Sequence, residues 1–163
     1  MNEAAPAIFQ ALEGSSFAAG IRASSWAYMV ANVGHIVALT VFAGSIAIMD
    51  VRMAGFLRAT VPGEVLRKAR IVALCAFVGL AATGFVLFAA EASHVILNEI
   101  FQFKLMLIAL GLINVALFEY FIAPRVRMTP ANQSLPDMAR ISGIASLVIW
   151  IAVAICGRSI AYF

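Results

Sequence analysis

Charge is what this sequence has little of. Only 12% of its 163 residues are Asp, Glu, Lys or Arg, about half the share of an ordinary soluble domain. A soluble fold of this size has too small an interior for a chain that is 64% hydrophobic. Cysteine is scarce as well. Cys75 and Cys156 stand alone in apolar runs, in neither a CxxC pair nor a metal-ligand spacing. The topology below sets them roughly 15 Å apart in depth, too far for a disulfide. Both read as small core residues. The first residues lack a positive n-region followed by an apolar run, so no cleavable signal peptide is expected. Phosphate-binding glycine loops, Ser/His/Asp triads, zinc spacings, HExxH and GxSxG are missing, which excludes nucleotide-loop and intramembrane-protease readings. The net charge of +3 does not point to nucleic acid. The basic residues sit at the ends of apolar runs, not on a basic face interleaved with aromatics.

What remains is apolar sequence in four runs, at about 26–48, 71–93, 103–122 and 141–162. Each is long enough to cross a bilayer. The fold class is therefore all-α, an integral membrane four-helix bundle forming a single domain over 1–163. Residues 4–19 are mildly amphipathic: Ile8, Phe9, Leu12 and Phe17 approximate one face, with Gln10 and Glu13 off it. That pattern predicts a short interfacial helix before the first span. Trp26 and Tyr28 fit an aromatic belt. Pro62 sits where the second helix can begin, Pro124 is expected to stop the third, and 129–137 reads as a polar, turn-rich loop.

Eight of the eleven basic residues flank the first and third connections: Arg52, Arg58, Arg67, Lys68, Arg70, Arg125, Arg127 and Arg140. Arg22, Lys104 and Arg158 fall on the other side. The positive-inside rule then places both termini outside, N-out and C-out. Small residues recur along the spans, among them Gly34, Ala38, Gly79, Gly84 and Gly143, and permit close helix approach. No internal repeat is evident.

A polar side chain within hydrocarbon needs a reason. His35 lies roughly 13 Å below the outer boundary by helical rise, with no charged neighbour in sequence. A neutral imidazole there either satisfies a facing carbonyl or hydroxyl, or ligates an iron or a quinone oxygen. Glu91, His94 and Asn98 are spaced to share a helical face at the outer end of the second span. They read as a solvated face or a polar collar over a pocket. His94 stands roughly 10–15 Å nearer the outside than His35, which argues against bis-histidine ligation of one haem. Lys104, Arg158 and His94 lie at the level where haem propionates would emerge; the plain alternative is snorkelling. Asp50 and Arg52 are expected to cap a helix or lock the inner loop by an ion pair. Glu119 is expected to reach the headgroups or pair with an arginine such as Arg125, with Asn114 buried about two turns earlier. The methionines are scattered, the lone M-x-x-x-M pair being Met49 and Met53. That weakens a copper-transport reading.

Four stretches carry a family resemblance: HIVALTVFAGSIAIMDVRMAGFLR at 35–58, TGFVLFAAEASHVILNEIFQFKLMLI at 83–108, the Asn114 segment, and ISGIASLVIWIAVAICGRSIAYF at 141–163. With them the chain resembles a bacterial family of small four-span proteins of unknown function, loosely similar to copper-resistance-D-type membrane domains. The resemblance implies a bacterial inner (cytoplasmic) membrane setting, with His35, Asp50, Arg52, Lys104 and Arg158 at matching positions. It also implies a histidine near the position of Glu119, and the departure counts against a ligand there.

The functional expectation is a b-type haem-binding electron-transfer protein. His35 is the iron ligand, and His94, Asn98, Lys104 and Arg158 complete the cofactor site. Electrons pass to or from quinol or a periplasmic redox partner. The alternatives are copper or other small-solute handling, and a structural subunit of a larger respiratory complex. Homo-oligomerisation is compatible with the small-residue faces.

Overall fold

The computed structural model describes residues 4–160 and 162. Two short helices, α1 (Ala7–Glu13) and α2 (Ser16–Ala23), precede α3 (Ser25–Met53) and α4 (Pro62–Ala90). A single turn, α5 (Ala92–Val95), leads to α6 (Glu99–Leu117), a π-helical turn (Phe118–Ile122) and α7 (Ala123–Met128). The last helix is α8 (Asp137–Ser159). Four helical stretches are long and apolar enough to cross a membrane: Ser25–Met53, Pro62–Ala90, Glu99–Met128 and Asp137–Ser159. This is a multi-pass membrane protein, a four-helix bundle. Its outer surface carries the apolar side chains that a soluble protein would bury, such as Val30, Val78, Ile113 and Val148, so the bilayer supplies the solvent they need.

The helix starts follow from local chemistry. The Ala27 N–H donates to Ser24 Oγ at 3.2 Å, and the Phe101 N–H to Asn98 Oδ1 at 3.1 Å. Each satisfies an N–H that the helix leaves orphaned. Pro62 opens α4 at its first turn, where its missing N–H costs nothing.

The third span departs from expectation at Pro124. The helix does not stop there but runs on to Met128. Proline offers no N–H to the Tyr120 carbonyl and its ring crowds that oxygen. Widening the preceding turn to π geometry, over Phe118–Ile122, relieves the clash and lets the helix continue.

The expected interfacial helix is two helices with a break at Gly14. They dock on the terminal end of α4. Phe9 meets Phe88 edge-on with ring centroids 5.8 Å apart, and Phe17 stacks on Phe85 at 6.2 Å. Arg22 Nη1 donates to the Ala90 carbonyl at 2.9 Å, and the Ser93 N–H to Glu13 Oε2 at 2.7 Å.

α3 is central and packs along both α4 and α8, while α6 packs along α8. Close approach needs small residues. A methyl group on Gly143 would stand 2.8 Å from Met53 Cβ and 3.1 Å from the Asp50 carbonyl oxygen, so only glycine fits that α3–α8 crossing. At the end carrying the two basic connections, Met53, Leu66, Val126, Leu135 and Ala139 form one core cluster. A second, nearer mid-depth, joins Phe42, Ile46, Ala73 and Ala76, with Phe77 and Trp150 against it. Cys75 does not join a core: it is exposed on the apolar surface, while Cys156 is half-buried.

Candidate functional site

The chemistry of α3 is split between two faces near its basic end. Residues two apart on a helix lie about 200° apart around its axis. Arg52 therefore points toward the α3–α4 connection, where it is buried and donates through Nε and Nη2 to the Thr60 carbonyl, at 3.3 and 3.1 Å. It fixes the α3–α4 connection by hydrogen bonds, not by the ion pair with Asp50 that the D-x-R spacing suggested. Asp50 faces the other way, into a cavity of about 310 Å³ between the four spans.

That cavity gathers polar groups from three more helices. Ser142 Oγ donates to Asn114 Oδ1 at 3.1 Å, and Asn114 Nδ2 donates to the Ser142 carbonyl at 3.2 Å, which ties α6 to α8. Ser146 and Trp150 line the same space one and two turns further along α8. Asp50 is only 7% exposed. Its Oδ2 and the Trp150 Nε1 are both buried without a hydrogen-bond partner. Native structures seldom leave such groups unpaired, and each unpaired group costs about 1–3 kcal/mol. Two on the walls of one cavity make it the candidate site of this fold.

The rim of the cavity is ionic. Glu119, on the π turn, accepts from Arg70 of α4 and from Arg127 Nη2 of α7, the latter at 2.8 Å. Its partners are thus Arg70 and Arg127, not Arg125. The π turn is what aims Glu119 at α4, and such turns are frequent at functional sites.

The five residues singled out from the sequence are dispersed. His35 Nδ1 lies 2.9 Å from Thr83 Oγ1, and that hydroxyl donates to the Gly79 carbonyl at 2.6 Å. With its one proton so committed, the hydroxyl accepts from His35, so the imidazole carries its proton on Nδ1 and presents a bare Nε2 lone pair. The ring lies against Gly84, with Cε1 3.2 Å from where a Cβ there would stand. Lys104 Nζ covers Gly157 of α8, 3.3 Å from where a Cβ there would stand. Arg158 donates to the Tyr162 hydroxyl at 2.6 Å and lies over that ring, 4.7 Å from its centroid.

His94 belongs to a separate open groove with Glu13, Arg22 and Ser93. There the Ser93 N–H, with help from the Ser93 side chain, Arg22 and His94, holds the Glu13 carboxyl below the usual carboxylate range. Asn98 is the cap of α6. Glu91, His94 and Asn98 do not share one helical face, because the chain breaks at Glu91 and starts again at Asn98.

Residues 10–163 match the model of DUF6644, a family of unknown function. The chain belongs to that family. No curated protein and no solved structure matches it. The DUF6644 match takes in the Asp50 cavity, its ionic rim, His35 and Lys104, so the whole candidate site lies within the family's own region.

Trp150 and Ser146 of this DUF6644 chain escape a reading of the sequence. An indole in an apolar run looks like packing, and a serine like a small interface residue. What exposes them is the absence of any partner for the indole N–H, which only the packed helices show. No group of three or more histidine, cysteine, aspartate or glutamate side chains is poised for a metal among the described residues.

Proposed function

We propose that this protein handles a small solute within the membrane, held in the basic half of the bundle around Asp50. One observation carries the reading: two buried, unpartnered polar atoms, Asp50 Oδ2 and Trp150 Nε1, belong to the walls of a single cavity. A buried acid with one oxygen left unpartnered, on the wall of a cavity, is a feature of binding sites that packing alone does not explain. Asn114, Ser142 and Ser146 add adaptable hydrogen-bonding groups, and Arg70 with Glu119 gives the cavity an ionic edge. The excess of basic residues at that end faces it toward the cytoplasm of a bacterial inner membrane. The test is native mass spectrometry of the protein extracted in mild detergent. A small-molecule adduct should accompany the wild type and be missing from a folded Asp50→Leu variant. Equal spectra for the two proteins would sink the proposal. Elemental analysis of the same sample checks the copper version, in which Met49 and Met53 on the cavity wall supply soft ligands.

A second reading keeps the haem-linked electron-transfer role, and the hydrogen bond of His35 favours it. With Nδ1 committed to Thr83, the free Nε2 is the tautomer an axial ligand requires. Quinol or a periplasmic protein would be the redox partner in this reading. A reduced-minus-oxidised spectrum after haem supplementation decides it. An alpha band lost in His35→Ala supports the role; a flat difference spectrum removes it.

A further inference from the structure

The Asp50 cavity has a mouth on the side of the bundle. Leu74 of α4 and Leu112 and Val115 of α6 line it, yet these side chains are 59%, 45% and 40% exposed at the surface. α4 and α6 lack a seam like those joining α3 to α4 or α6 to α8. The gap between them is bridged toward the terminal end by Phe88 stacked on Phe101, centroids 5.4 Å apart, and toward the basic end by Arg70 on Glu119. Helical rise puts Leu112 about 20 Å from the start of α6, within a span of 30 residues. The opening is therefore near mid-bilayer. A molecule arriving there comes dissolved in lipid, not in water.

The cavity walls discriminate among such molecules. Asp50 offers a hydrogen-bond acceptor, and a half-turn about its χ2 exchanges the two carboxylate oxygens. Trp150 offers a donor. Phe42, Phe77 and Phe118 supply flat apolar walls. Aromatic-ring hydroxyls both give a hydrogen and accept one, so a ring that carries two of them can answer Asp50 with a hydrogen and the indole N–H with an oxygen. The ring itself packs edge-to-face against the phenylalanines. A lipophilic cation would answer Asp50 but leave the indole N–H unpaired, and an acyl chain would leave both. Building on the proposed role of the Asp50 cavity, we infer that it receives the ring of a lipid-soluble quinol, entering sideways between α4 and α6. The volume of about 310 Å³ lies at the small end of small-molecule sites, enough for a ring with its tail left in the bilayer.

The experiment uses the full chain in lipid nanodiscs with Trp26→Phe, which leaves Trp150 as the sole tryptophan of the two. A decyl-substituted hydroquinone, kept reduced, is titrated while Trp150 emission is read. A saturable change is expected, with its midpoint raised tenfold or more by Asp50→Leu. The Leu74→Phe, Leu112→Phe double variant leaves the polar pair intact and should slow the approach to saturation by narrowing the mouth. A non-saturating change, the same in every variant, means the quinol only dissolves in the lipid and overturns the inference. Tetraphenylphosphonium is titrated in parallel. If it saturates in an Asp50-dependent way and the quinol does not, the ligand class is wrong and the cavity's role survives. If neither probe depends on Asp50 and no adduct is seen by native mass spectrometry, both fall.

Discussion

Asp50 lines the bundle cavity, while Arg52, two residues on, turns its guanidinium to the Thr60 carbonyl of the α3–α4 connection. The two serve different purposes: one is a buried acid with an oxygen left unpartnered, the other a buried cation that holds a connection through Nε and Nη2. Their substitutions should therefore move stability in opposite directions. Asp50→Leu removes a buried unpaired polar atom and should raise unfolding stability by about 1–3 kcal/mol. Arg52→Leu removes two charge-assisted hydrogen bonds and should lower it by about 1.5–3 kcal/mol. Denaturant unfolding in detergent measures both. A destabilised Asp50→Leu protein would show that the carboxyl's contact with Ser146 outweighs the cost of its unpaired oxygen.

Gly143 gives a second test of the α3–α8 crossing. The single methyl of Gly143→Ala would meet Met53 Cβ at 2.8 Å and the Asp50 carbonyl at 3.1 Å. Both are close to the backbone and neither can swing aside. Overpacking of this kind costs about 1–3 kcal/mol. The thermal midpoint should fall, whereas for Gly44→Ala, where nothing lies within 4 Å of the new atom, it should hold or rise through the better helix propensity of alanine. Equal effects at the two positions would mean that helix propensity, not packing, decides.

Pro124 should control the ionic rim at a distance. Pro124→Ala restores an N–H to the Tyr120 carbonyl and removes the reason for the π turn. Reversion to α geometry rotates Glu119 by about 100° relative to α7, away from Arg70 and Arg127. A double-mutant cycle on Arg70 and Glu119 should show a coupling of up to about 1 kcal/mol with Pro124 present. With alanine there it should vanish. Persistence of the coupling would show that the π turn has another cause.

The spans were legible in the sequence because hydropathy over some twenty residues averages out local detail. Pro62 as a first-turn residue was legible for the same reason that it is tolerated there: it gives up an N–H that no helix uses. Pro124 misled, because the rule that proline ends helices takes no account of a turn widening to carry it. Asp50 stood among the candidates, but the D-x-R spacing invited pairing, and helical geometry puts the two side chains on opposite faces. Trp150 carried no signal at all. Its importance lies in a missing partner, and that is a property of four packed helices. His35 was legible as a polar group in hydrocarbon, whereas its tautomer depended on Thr83, 48 residues away.

The docking of α1 and α2 should be sensitive to acid. Glu13 accepts the Ser93 N–H at 2.7 Å, and that bond holds its carboxyl below the ordinary range. A carboxyl with a lowered folded pKa stabilises the state in which it is ionised. The contribution is complete above the unfolded value, about 4.3, and is lost as pH falls through the lower folded value. Glu13 itself therefore contributes no change between pH 7 and 5, and the loosening of α1 and α2 that it controls should set in below about pH 4.3. A nitroxide label at Ala19, on an exposed face of α2, reports this as a sharpening of its spectral line. Glu13→Gln keeps an acceptor but has no proton to gain, so its line shape should stay constant over the same range. Identical pH profiles for the two proteins would assign the acid response to another carboxyl and leave Glu13 a passive contact.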